Sequence, residues 1–89
     1  MKTLNSYQVY KHIILSLSLM SHNYSYGADF HLSRIIDIDG DEVRIIFDYD
    51  TKRDRVLNLC IMDSEKNAIN LDNSDYFCGL IVGYMTANY

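Results

Sequence analysis

From Phe30 to Asp63 the chain is written in period two. Ile36 and Ile38 alternate with Ile35 and Asp37. Val43, Ile45, Phe47 and Tyr49 alternate with Glu42, Arg44, Ile46 and Asp48, and Leu57, Leu59 and Ile61 alternate with Asn58 and Cys60. Such alternation belongs to strands that bury one face and wet the other. The connections between runs are too short for a crossover, which restricts the segment to an antiparallel meander. The chain has no proline, so its turns must rest on Gly, Asn, Asp and Ser. Gly40-Asp41 fits a two-residue type II′ turn, with glycine first. That turn sets Asp39 opposite Glu42, Ile38 opposite Val43, Asp37 opposite Arg44 and Ile36 opposite Ile45. The polar "DTKRD" connects the second and third strands.

The same segment is the densest in carboxylates and invites a calcium-loop reading. Counted from Asp37, Asp39, Asp41 and Asp48 fall on the third, fifth and twelfth positions of such a loop. The sixth position needs glycine for a sharp bend and the eighth needs an apolar residue. Glu42 and Arg44 stand there. The hairpin explains the segment better, and a weak divalent-cation site at the turn is the minor alternative.

Helical signals flank the strands. Asn5 and Gln8 form a capping box of the Asn type, with Leu4 and Val9 at the staple positions. Val9, Tyr10, Ile13, Leu17 and Met20 then share one face, and the helix should end before "SHNYSYG". The rival is a strand, because "LSLSL" also alternates. A second helix follows Leu71, with Asp72 as N-cap, Asp75 in the first turn and Leu71 with Tyr76 at staple spacing. Its core face is Phe77, Leu80, Ile81, Tyr84 and Met85, yet Cys78, Val82, Gly79 and Gly83 occupy the remainder. A helix with so little polar surface seeks cover on every side. Leu15 and Leu19 likewise fall opposite Ile13 and Leu17. The expectation is a small α+β domain spanning residues 1–89, in α-β-β-β-α order. It has a three-stranded antiparallel meander with two helices packed on one face.

Charge and chemistry narrow the function. The net charge of −4 repels nucleic acid and anionic lipid and suits a basic partner surface. Cys60 and Cys78 both lie in apolar runs and read as buried free thiols in a reducing, cytoplasmic setting. The basic flank and short apolar run near the start make a poor secretion signal, because Lys11 sits late and His12 and serines dilute the run. No stretch is long and apolar enough to span a membrane. There is no nucleophile motif, no phosphate-cradling glycine loop and no His/Cys ligand spacing, which points away from an enzyme and from any cofactor. His12, His22 and His31 cannot be grouped from sequence.

The α-β-β-β-α order resembles that of double-stranded RNA-binding domains. The resemblance is one of topology only. It implies RNA binding through basic residues near the start of the last helix, where this chain has Asp72 and Asp75. In its acidity and mixed elements the chain also resembles, by type alone, small phage or immunity-type inhibitors. The expectation is therefore a non-enzymatic protein that binds another protein as an inhibitor or regulator. Asp37, Asp39, Asp41, Glu42, Asp48 and Asp50 supply the electrostatic contact, with Tyr24 and Tyr26 as aromatic contacts. A homodimer is expected to use Leu15, Leu19, Gly79, Val82 and Gly83.

Overall fold

The computed structural model describes residues 3–23 and 29–88. The elements are β1 (Thr3–Leu4), α1 (Ser6–Asn23), β2 (Phe30–Ile38), β3 (Asp41–Asp50), β4 (Arg55–Asp63), β5 (Asn70–Leu71) and α2 (Ser74–Asn88). β2, β3 and β4 form the antiparallel meander that the alternation implies. α1 lies against β2, α2 lies against β4, and the helices pack on each other. Val9, Ile13 and Leu17 of α1 and Phe77, Ile81 and Met85 of α2 join Leu32, Val43, Ile45, Phe47, Tyr49 and Ile61 in one buried core. Both helices therefore cover the same face of the sheet, and the other face stays open.

The hairpin differs from its expected register. Ile38 pairs with Asp41, Asp37 with Glu42, Ile36 with Val43 and Ile35 with Arg44. The turn is Asp39-Gly40, not Gly40-Asp41, and both residues are left-handed, at φ 53° and 86°. Two successive positive φ values define a type I′ turn, for which Asp-Gly is a preferred pair. The Asp37 carboxylate closes it by accepting the Gly40 N–H at 2.9 Å. The expected Asp37–Arg44 pair is consequently absent, and Asp37 stands across from Glu42.

β4 also departs from simple alternation. Asn58 takes a left-handed φ of 58°, and the β3–β4 register slips between Ile46 and Asp48. This bulge moves Leu57 opposite Asp48 on the open face, while Val56 and Leu59 pack toward the core. After β4 the chain turns on Asp63, whose carboxylate accepts the N–H groups of Glu65 and Asn67, both at 2.9 Å. It then runs back along β4, with Ala68 bridged to Met62 and the Ile69 N–H donating to the Ile61 carbonyl at 2.9 Å.

The helix starts are joined in a way that sequence did not reveal. β1 pairs in parallel with β5, Thr3 with Asn70 and Leu4 with Leu71. The Asn5 cap is as expected, its side-chain oxygen accepting the Gln8 N–H at 2.9 Å, and Leu4 and Val9 are both buried. Asp72, however, is not the cap of α2. Asn73 holds that position and accepts the Tyr76 N–H at 3.0 Å. Asp72 instead faces α1, accepting the Ser6 N–H at 2.9 Å and the Ser6 hydroxyl at 2.6 Å. Tyr76, at the expected staple position, is 49% exposed. α1 continues to Asn23, three residues past its expected end.

Candidate functional site

The open face of the sheet is the one large surface that neither helix covers. By the strand registers, His31, Ser33, Ile35 and Asp37 of β2 lie beside Glu42, Arg44, Ile46 and Asp48 of β3, and then Leu57, Cys60 and Met62 of β4. Its middle is apolar. Ile35 is 53% exposed, and Ile46 and Met62 are half-buried only by their neighbours on the strands. A shallow hollow of about 480 Å³ lies here, lined by Ile35, Glu42, Arg44, Ile46, Met62 and Asp63, among others.

At one end of this face is the acidic turn. Asp37, Asp39, Asp41 and Glu42 are all exposed there. Asp48 and Asp50 do not join them. They lie at the far end of β3, about 20–30 Å away at the rise of an extended strand. Asp50 is buried beneath the β3–β4 turn. Its oxygens accept the Lys52 and Arg53 N–H groups at 3.1 and 3.2 Å and the Arg55 guanidinium at 3.3 Å. Burial raises its pKa, but the hydrogen bonds from Arg53, Arg55 and Lys52 outweigh that and hold it below the usual carboxylate value. Asp50 is thus a turn-closing residue, and its carboxylate is not presented for electrostatic contact.

Asp48 belongs to a small polar cluster that the sequence reading did not assemble. Asn58 donates to one of its oxygens at 2.9 Å, and the His31 ring lies 2.6 Å from the other. The Asn58 hydrogen bond first, and then that of His31, lower the Asp48 pKa. The cluster exists because His31 and Asp48 are directly paired across β2 and β3 and because the bulge turns Asn58 outward. A carboxylate holding an imidazole could orient a general base. Among the described residues, however, no group of three or more His, Cys, Asp or Glu could hold a metal ion.

The remaining expected residues are dispersed. Leu15 is 71% exposed and Leu19 54%. Gly79 and Gly83 lie on the solvent side of α2, where an added Cβ would meet nothing within 4 Å, so neither glycine serves close packing within the chain. Val82 is half-buried against the core. Tyr24 and Tyr26 lie outside the described residues. Both cysteines are free, but Cys60 is exposed and Cys78 half-buried, against the expectation of two buried thiols. Cys60 is exposed because it pairs with Ile46 on the open face. Among the described residues no helix is long and apolar enough to cross a membrane. Comparison with protein-family models, with curated proteins and with solved structures gives no match.

Proposed function

We propose that this chain is a non-enzymatic protein-binding domain, acting as an inhibitor or regulator, that meets a basic-surfaced protein with its open sheet face and acidic turn. The observation that carries this reading is the continuity of the two. The apolar floor formed by Ile35, Ile46 and Met62 runs directly into exposed Glu42, which has Asp37 across from it, with exposed Asp39 in the turn and exposed Asp41 beside it on β3. The apolar part supplies area removed from water, and the acids select a cationic partner and speed its approach. Asp48 and Asp50 are left out of this surface.

The test uses three proteins as bait in lysate of the native host: wild type, Asp39→Lys/Asp41→Lys/Glu42→Lys, and Met62→Asp. Exposed turn charges add little to folding, so the triple variant should melt like wild type. A partner retained by wild type and lost by both variants supports the reading. A partner retained by all three refutes it. A second reading is favoured by one observation: once the two-residue β1 and β5 are set aside, α1, the three-stranded meander and α2 follow in α-β-β-β-α order with both helices on one sheet face, which is the topology of double-stranded RNA-binding domains. Against it, α2 opens on Asn73, Ser74 and Asp75 with no cation among them. Titration with double-stranded RNA at low salt separates the two, because phosphate-driven affinity would fall steeply as salt is added.

A further inference from the structure

The two outer edges of the sheet are treated differently. That of β4 is interrupted by the Asn58 bulge and covered near its end by the returning chain, where Ile69 donates to Ile61 and Asp63 to Asn67. Bulges and covering segments are the usual means of stopping an edge from pairing. β2 has neither. It is a regular nine-residue strand, Phe30–Ile38, and among the described residues no strand lies outside it. The two-residue turn makes Ile38–Asp41 a hydrogen-bonded pair, and such pairs alternate along an antiparallel ladder. The main-chain groups of His31, Ser33, Ile35 and Asp37 therefore point outward, away from β3. The Ser33 carbonyl takes the Arg34 guanidinium at 3.0 Å.

The charges along β2 say what fits this edge. Arg34 lies just before its centre at Ile35 and Asp37 beyond it, with Asp39 following in the turn. A second copy running antiparallel sets the first half against the second and so keeps like charges apart. A parallel copy does the reverse. Inner-face residues must meet inner-face residues, which leaves few registers. One centred on Arg34 opposes two guanidinium groups. One centred on Ile35 opposes Ser33 with Asp37, Arg34 with Ile36 and Leu32 with Ile38, so that no like charges face each other.

The helix above the edge agrees. Tyr10 lies on the side of α1 toward α2, since the Tyr84 phenol contributes to raising its pKa after burial does. Ser16 lies on the other side, where its hydroxyl accepts from Arg34 of β2 at 3.1 Å. At about 100° per residue, Leu19 lies about 60° beyond Ser16 on the outward flank, whereas Leu15, about 100° beyond it, is on the back of the helix away from the sheet. In an antiparallel pair the two α1 helices become neighbours, and Leu19 is the exposed leucine nearer the seam.

We infer that the β2 edge is a self-association surface. Two copies join β2 to β2 in antiparallel register with Ile35 on the two-fold axis, making one six-stranded sheet with four helices on one face. This stands independently of the protein-binding reading above. It also makes the two open faces a single continuous surface.

Sedimentation velocity at tens of micromolar tests it, on wild type, Ile35→Pro, Ser33→Asp and Gly83→Leu. Ile35→Pro removes two N–H groups at the centre of the seam, one from each copy. Proline is tolerated on an edge strand when the lost N–H faces outward. The wild type should be dimeric, and Ile35→Pro should raise the dissociation constant roughly ten- to a hundredfold. If Ile35→Pro fails to fold, Ser33→Asp, which sets a carboxylate against Asp37 of the other copy, should weaken the dimer about tenfold. In a Cys60→Ser/Cys78→Ser background, Ile35→Cys should cross-link to itself on mild oxidation, because paired strands bring Cα atoms within disulfide range. A wild type that is monomeric throughout overturns the inference. So does a dimer that survives Ile35→Pro and Ser33→Asp but dissociates with Gly83→Leu, which would place the contact on the helix layer.

Discussion

Ser6 is the residue whose small side chain should matter most for its size. It is 1% exposed and sits where the starts of both helices and the β1–β5 pair converge. Its hydroxyl donates to Asp72 at 2.6 Å, lies 2.8 Å from the Asn73 carbonyl, and accepts the Asn73 N–H at 3.1 Å. Ser6→Ala removes these and leaves the Asn73 N–H with the Asp72 carboxylate as its remaining acceptor. A net hydrogen bond contributes about 0.5–1.5 kcal/mol, with bonds to charged groups at the upper end, so the loss of two should cost about 2 kcal/mol. In a domain of this size that corresponds to a drop of roughly 8–16 °C in melting temperature. Urea unfolding of wild type and variant measures it. The pH dependence gives a second check. The Ser6 hydroxyl first, and then the Ser6 N–H, hold the Asp72 carboxyl below its ordinary pKa of 3.8. A depressed folded-state pKa adds stability above the unfolded value, and that stability is lost as pH falls through the folded one. The gap between wild type and Ser6→Ala should therefore be widest near neutrality and narrow below pH 3.8. A variant within about 0.5 kcal/mol of wild type, the usual range for a surface change, would refute the idea that this junction couples the helices.

Three further outcomes follow from the geometry. Gly40→Val should destabilise the domain by about 1–3 kcal/mol, because a β-branched residue resists the left-handed conformation that the turn imposes; an unchanged urea midpoint would argue against the type I′ turn. Asn58→Gly keeps a residue that accepts positive φ but deletes the amide that holds Asp48, so the Asp48 midpoint, followed by NMR, should rise toward 3.8 from its lowered wild-type position; an unmoved midpoint would mean that the Asn58 contact is not what lowers it. A thiol reagent near pH 8 should modify Cys60 well before Cys78, since Cys60 is exposed while burial, followed by the Asp75 charge, raises the Cys78 pKa; equal rates would contradict that contrast.

What could be read in advance was local. Period-two alternation located all three strands, and the Asn5 cap located the start of α1, because each signal lies within a few residues of the structure it specifies. The alternation could not choose between the two hairpin registers. Gly40-Asp41 and Asp39-Gly40 turns differ by two in pairing and leave every side chain on the same face, so burial is indifferent to the choice. The decision rests on the backbone of Asp39, which accepts a left-handed φ and lets Gly40 take the second. The bulge at Asn58 was hidden for a related reason. Leu57, Leu59 and Ile61 satisfy alternation perfectly well until one extra residue moves Leu57 to the other face.

The acidic residues were the hardest to place, and the reason is chemical. A carboxylate can close a turn, cap a helix, hold a neighbouring ring or remain in water, and its identity does not say which. In this fold Asp37 closes the β2–β3 turn, Asp50 and Asp63 close the turns on either side of β4, and Asp48 holds His31 and Asn58. Asp72 is held by Ser6, 66 residues away in sequence, a relation that no local pattern carries. An acid whose oxygens are occupied by its own backbone gains little by meeting a partner, because it would exchange one set of hydrogen bonds for another. By exposure at the end of the sheet, the electrostatic reading contracts from six residues to the tip of the first hairpin, Asp39, Asp41 and Glu42, beside the turn-closing Asp37. Reversing those three charges tests the partner contact and leaves the turn-closing carboxylate of Asp37 in place.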